Sequence, residues 1–405
     1  MPIEFISAVN SAPEASEAGK GNASGNWPAF DAEYARRYVR ALDDGGFDWT
    51  LVAYGSPTLD SLQLAQFVIH HSDHIRPMVA HRPGFVYPTI AAKSLAYLDQ
   101  LGGGRLGLHI ISGGNDTEQH REGDYLDKSA RYARSAEFIE ILRLIWSAQG
   151  PVSYAGEHYR FEDFSTPLRP VQPTIPISVG GSSEDAYRVG GQLGDIFGLW
   201  GEPLAETAQQ IATVNTFADA AGKSRPRIWN SFRPIVAPTD ELAWEKAHSI
   251  LGRVKANSAA GKLRNQVGGV GTVPANVGSQ RLLEVAAKGD RHDRALWTPL
   301  VTATGAGGST TALVGSYETV AAALIDYAEI GCDLLSIRGW DPLNDAIDYA
   351  RYVLPIARQE IAHRAATGRP LLGNGELTGD VRDRVREIPA AYEPSRTAAP
   401  EPALA

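Results

Sequence analysis

Eight short runs rich in β-branched and aliphatic residues recur along the chain, separated by longer stretches with helical spacing. This alternation limits the possible fold more than any other feature. The runs fall at residues 4–9, 49–54, 76–80, 105–111, 175–179, 195–199, 227–236 and 333–337. Several are continuously apolar rather than alternating, as parallel strands covered on both faces should be. Between them Phe138, Ile141, Leu142 and Ile145 form one helical stripe, and Val320, Leu324, Tyr327 and Ala328 form another. Eight strands alternating with helices predict a (β/α)8 TIM barrel, with an open doubly wound sheet as the alternative.

A chain of 405 residues suits such a barrel with insertions. Three stretches interrupt the alternation. Residues 11–27 are small and polar, a long loop after the first strand. Residues 255–312, between strands seven and eight, carry the glycine-rich runs VGGVGTVP and TATGAGGSTT. A loop of that length in a compact domain predicts a mobile lid. After Gly368 the sequence turns rich in Pro, Ala and Glu and has little to bury. The expected organisation is one barrel over residues 1–368 with a lid at 255–312, followed by an extended tail at 369–405.

Charge and cysteine content exclude several classes. A net charge of −9 and a pI near 5.6 argue against nucleic acid and against anionic membrane surfaces. The single cysteine, Cys332, allows no internal disulfide and no Cys-rich metal site. No apolar run approaches the ~20 residues that cross a bilayer, and the first residues lack the pattern of a signal peptide. A cytoplasmic protein is expected.

In a (β/α)8 barrel chemistry sits at the C-terminal ends of the strands. The fifth of these ends carries the best local signal, Gly180-Gly181-Ser182-Ser183, ahead of a helix beginning near Glu184. Glycines let the backbone approach an anion, serines offer hydroxyls, and a helix start offers unpaired N–H groups. The same residues also read as a plain turn with a serine N-cap. His70, His71 and His74 have metal-like spacing but fall where a helix hands over to strand three, on the opposite face, so a solvated helix end is the expectation. His81 stands at a strand's C-terminal end and is open to two readings, an acid/base or substrate contact and a packed side chain. There is no G-x-G-x-x-G after a strand, no G-x-S-x-G elbow and no P-loop. Without a metal set or an activated nucleophile, the chemistry is expected to belong to an organic cofactor.

The ordered segments resemble a known family. The run VAHRPGFVYPTIAAK from Val79 to Lys93 is followed by LDQLGGGR from Leu98 to Arg105. Next come Ile111-Ser112-Gly113, Asp127, Ser129, Arg131-Tyr132 and the SAEF run from Ser135 to Phe138. The Gly180-Gly181-Ser182-Ser183 turn, Trp200-Gly201-Glu202-Pro203 and the TALVG run from Thr311 to Gly315 complete the series. From about residue 30 to residue 358 this series is similar to the alkanesulfonate monooxygenase branch of the bacterial luciferase-like, flavin-dependent monooxygenases. The resemblance implies a two-component enzyme: a separate NAD(P)H-dependent flavin reductase supplies reduced FMN, O2 adds to it, and a flavin peroxide oxygenates a small organic substrate. It implies cofactor contacts at Ser112, Tyr132, Gly181, Ser182 and Ser183, and a homodimer or homotetramer.

The departures from that pattern fall on the substrate side. Thr58 stands where the family has a cysteine, Ser231 and Arg233 where it has arginine and histidine, and Trp340 where it has tyrosine, while its lid arginine falls near Ala306. Arg233, Trp340, Thr58 and His81 are therefore the expected catalytic set. An anionic organosulfur substrate, larger or less polar than a short alkanesulfonate, is expected. Arg82, Arg233 and Arg338 are each read either as an anion contact or as a structural ion pair. The alternatives are a deazaflavin-dependent hydride-transfer enzyme of the same fold and a flavin-binding protein without catalysis.

Overall fold

The computed structural model describes residues 3–12, 30–259, 274, 276–308 and 311–367. Eight parallel strands close into a barrel: β1 (Glu4–Ala8), β2 (Trp49–Val52), β3 (Arg76–His81), β4 (Gly107–Ile110), β5 (Ile177–Gly180), β6 (Ile196–Trp200), β7 (Arg227–Phe232) and β8 (Cys332–Ile337). Each strand neighbours the next, and β1 pairs with β8 through Glu4↔Leu334 and Ile6↔Ser336 to complete the ring. All eight lie within the apolar runs read from the sequence or extend one residue beyond them, and the open-sheet alternative is excluded.

Side-chain alternation divides the strands into two faces. Ile6, Trp49, Met78, Ile196, Trp229 and Leu334 pack together inside the ring. Their outward neighbours, such as Phe5, Val79, Leu108, Val179, Phe197, Phe232 and Leu335, join the large core under the helices. The Phe138/Ile145 and Val320/Ala328 stripes belong to that second layer. The indole of Trp49 fits because Gly107 has no side chain: a Cβ there would stand 2.7 Å from the ring. Below it Glu4 accepts from Trp49 Nε1 at 2.9 Å and pairs with Arg76 and Arg227 at 2.6 and 2.8 Å, closing the N-terminal end of the barrel.

The seventh run departs from expectation. Residues 227–236 do not form one strand, because β7 stops at Phe232 and Pro234, which has no N–H to donate, follows two residues later. The chain then enters a second, four-stranded sheet in the order Ile235–Ala237, Ala312–Ser316, Leu296–Trp297 and Arg291–His292. A hairpin of Val152–Ala155 and Arg160–Phe164 is a further addition.

The insertion between β7 and β8 contains regular structure. Helices Asp240–Ala259, Val277–Lys288 and Pro299–Thr304 and the small sheet occupy its described part. Arg281 forks onto buried Glu202 at the end of β6, with Nε–Oε1 2.9 Å and Nη2–Oε2 2.6 Å. Asp293 caps the next helix by accepting from Leu204 N at 2.8 Å, and Arg294 grips Asp326. The stretch 276–304 is thus docked on the barrel. Residues 260–273 and the tail after 367 lie outside the described residues.

Candidate functional site

At the C-terminal mouth the eight strand ends differ in what they leave open. Alternation from Gly107 aims His109 into the barrel, and alternation from Ile196 does the same for Gly198. Gly180 pairs in register with Gly198, which pairs with Trp229. His109, Gly180, Gly198 and Trp200 are all partly exposed although they face the barrel axis, so the mouth is open above them. A Cβ on Gly180 would stand 3.2 Å from both Gly198 O and His109 Cε1. Two paired glycines therefore expose a strip of bare backbone, bordered by His109 on one side and the Trp200 indole on the other.

That strip leads into the expected anion turn. Gly181 has φ +135°, and a Cβ there would lie 2.8 Å from the Tyr132 hydroxyl and 2.9 Å from Ala186 Cβ. Ser183 is the N-cap of helix Glu184–Leu193, its hydroxyl accepting from Ala186 N. Ser182 Oγ donates to Gln210 at 3.2 Å and lies beside Gly278 at the start of the insertion helix. Tyr132 donates to Gly180 O at 3.4 Å, and burial pushes its phenol up to about 12, so it stays a neutral donor. Lys128, one turn earlier on the helix Lys128–Ser147, is half-buried. Burial lowers its pKa while Asp185, beside the turn, opposes that shift. This geometry fits a flat conjugated ring over the glycines with an anionic tail at the serines: bare backbone, two hydroxyls, a helix start and a nearby ammonium.

Ser112 is placed differently. Ser135 gives its proton to Arg131 O at 2.8 Å, which leaves Ser112 as the donor to Ser135 at 2.9 Å, so its hydroxyl is engaged by the helix. Arg131 fixes the same loop by donating to Ser112 O and to Asp116 at 2.9 and 2.8 Å.

The expected catalytic set does not converge. Arg233 and Trp340 do meet, with the guanidinium 4.0 Å above the indole, but they are 5% and 3% exposed. Arg233 Nη2 donates to Gly339 O at 2.6 Å, and burial pulls its pKa down to about 10. Trp340 packs with Ile235, Ala247 and Trp297 in the core of the insertion. Both sit in the wall instead of on the rim, because the chain after Pro234 leaves the barrel and the insertion covers them. His81 is the outward neighbour of Ala80. Its ring stacks on Phe138 at 5.1 Å, and burial holds its pKa down at about 4. Thr58 is exposed, and its hydroxyl closes a turn onto Gly55 O at 2.8 Å.

Arg82 is neutralised by Glu118 and Glu122 at 3.0 and 2.7 Å. Arg338 continues the inward series Leu334, Ser336 and is partly exposed. His109, Ser178, Gly198 and Lys128, which lie along the glycine strip or beside its turn, were not singled out from the sequence. The period-two count from Gly107 was the available signal for His109. Among the described residues no group of His, Cys, Asp and Glu is arranged to hold a metal, and no helix is long and apolar enough to cross a membrane.

Residues 5–334 match the profile of the luciferase-like monooxygenases. Among solved structures the chain is similar to a riboflavin lyase, RcaE, determined with modified FMN and its substrate riboflavin. The two share 21% identity at a TM-score of 0.72, over 95% of this chain and 96% of the other. The EDTA monooxygenase EmoA from Chelativorans sp. BNC1 aligns at 17% identity and TM-score 0.70, over 95% and 98%. DmoA from Hyphomicrobium sulfonivorans aligns at 19% and 0.68, over 95% and 92%. At these identities the likeness concerns the fold.

Proposed function

We infer the reaction from a family assignment: this chain belongs to the luciferase-like monooxygenase family. We propose that it is a two-component, FMN-dependent monooxygenase that oxygenates a small anionic organic substrate, with an organosulfur acid as the leading class. The observation carrying this reading is the open Gly180–Gly198 strip running into the Gly181-Ser182-Ser183 turn. Reduced FMN, delivered by a separate NAD(P)H-dependent flavin reductase, supplies the electrons that activate O2. Ser183, the helix start and Ser182, whose proton turns from Gln210 to the ligand, hold the phosphate, and Lys128 adds a cation nearby. Gly180 and Gly198 seat the ring against backbone, with Trp200 as its wall. Arg338 replaces Arg233 as the cation that orients the substrate, a choice supported by its partial exposure and its place in the inward series at the end of β8, although burial lowers its pKa as it does that of Arg233. The insertion excludes water from that mouth. EDTA monooxygenase, on the same fold, carries the name of a polyanionic substrate, which supports an anionic class here.

Ile90 and Tyr97, 47% and 52% exposed on the outer face of the helix Pro88–Leu101, support a homodimer through that helix.

Titration with reduced FMN tests the cofactor site. Each hydroxyl lost to a charged acceptor costs roughly 1.5–3 kcal/mol. The variant carrying Ser182→Ala and Ser183→Ala is therefore expected to bind at least about 100-fold more weakly. Unchanged affinity in that variant would overturn the assignment.

A further inference from the structure

The barrel floor holds a histidine that the expected catalytic set did not include. His109 lies on the inward face of β4, partly exposed, with Nδ1 3.0 Å from Ser178 Oγ on β5. Trp229 meets its ring edge-on, centroids 5.1 Å apart and planes at 63°, which fixes the ring plane from the β7 side. Its Cε1 stands 3.2 and 3.6 Å from the positions a Cβ would take on Gly180 and Gly198. The imidazole therefore borders the bare strip where a flat ring would lie.

The tautomer follows from Ser178. That residue is fully buried, and among the described residues its hydroxyl has no partner other than His109. A buried donor left unmet costs about 1–3 kcal/mol, so the O–H points at Nδ1. Nδ1 accepts, and the one proton of the neutral ring sits on Nε2. Burial, which brings the pKa down to about 4, keeps the ring neutral at physiological pH. Nε2 has no hydrogen-bond partner among the described residues, so its N–H remains for whatever occupies the mouth.

We propose that His109 donates Nε2–H to an acceptor atom of the bound flavin ring, with Ser178 as the positioning residue that fixes this tautomer. The inference rests on the flavin reading above. A neutral donor at the ring edge favours the form of the cofactor that carries more negative charge, which is the reduced one. It thus biases the site toward the form the reductase delivers.

Affinities for reduced and oxidised FMN, measured side by side in the wild type and in His109→Phe, test this without relying on turnover. Losing a hydrogen bond to a charged acceptor is expected to weaken reduced FMN about 10- to 100-fold, with oxidised FMN changed less than about threefold. At 29.6 mV per tenfold for a two-electron couple, the bound cofactor's potential falls by about 30–60 mV. Ser178→Ala is expected to move the ratio the same way by a smaller factor. His109→Gln, which keeps an N–H donor, is expected to recover most of it, and it serves as the test variant if His109→Phe does not fold. Equal weakening of both redox forms, or no weakening, would overturn the role of His109. A wild-type protein that binds neither form would overturn the flavin reading instead.

Discussion

The two halves of the barrel mouth are built on opposite plans. Over β4, β5 and β6 the strand ends present what is absent or small: Gly180 and Gly198 without side chains, Ser182 and Ser183 with short hydroxyls, all partly exposed. Over β7 and β8 the ends carry a cation and a large aromatic, yet Arg233 and Trp340 are stacked on each other and buried by the insertion. Arg233 and Trp340, which look most like catalysts in the sequence, are used in packing, whereas the glycines and serines leave the space where a site is proposed. In a barrel with a large insertion, position at a strand's C-terminal end is necessary for a catalytic role but does not establish one.

The contrast can be broken most forcefully where the insertion is fastened to the open half. Arg281→Leu strands the Glu202 carboxylate, which is 2% exposed. Leaving a buried charge unpaired should cost about 3–5 kcal/mol in denaturant unfolding. A loss below about 1 kcal/mol would mean that this pair does not fasten the insertion.

Arg233→Ala probes the filled half. It removes a desolvated cation–π contact and a charged hydrogen bond, offset in part by relief of a buried charge, for a net stability loss of about 2–4 kcal/mol. FMN affinity should be unchanged. A variant of native stability with sharply reduced turnover would return Arg233 to the rim.

His81 offers a pH test of the outward layer. Its folded pKa is about 4, below the ordinary 6.5, so between those values the unfolded chain binds the extra proton. Stability is then fully present above about pH 6.5 and falls as pH drops, by about 2–3 kcal/mol at pH 4. In His81→Leu, unfolding measured across that range should lose this part of the slope. A slope equal to that of the wild type would refute the assignment.

The smallest effect is expected at Thr58. Because its hydroxyl only closes a turn, Thr58→Val should cost less than about 1 kcal/mol and leave turnover intact. A large fall in turnover at unchanged stability would place Thr58 in the chemistry after all.

How much of this was legible depends on whether the signal was local. Strand placement was, since continuous apolar runs announce strands buried on both faces, and the Gly180 to Ser183 turn was legible for the same reason. The end of β7 was partly legible, because Pro234 marks the break that the apolar run Ile235-Val236 disguised. What covers a residue was not legible. Nothing near Arg233 in sequence announces that Trp297 and Ala247 would close over its partner Trp340. The two histidines make the same point: His81 and His109 stand on adjacent strands, but one counts outward to Phe138 and the other inward to Ser178. A one-residue difference in phase decides which of them can reach a ligand.

The closing of the ring also has a consequence in time. Because Glu4 pairs with Leu334 and Ile6 with Ser336, β1 cannot find its second neighbour until some 330 further residues have been made. At roughly 5–20 residues per second, that strand leaves the ribosome about 15–65 s before its partner. Throughout that interval the nascent chain carries an unpaired, apolar sheet edge. Its yield in a cell should therefore depend on what shields that edge during synthesis, and a host short of chaperone capacity should lose this protein to aggregation before any substitution at the mouth matters.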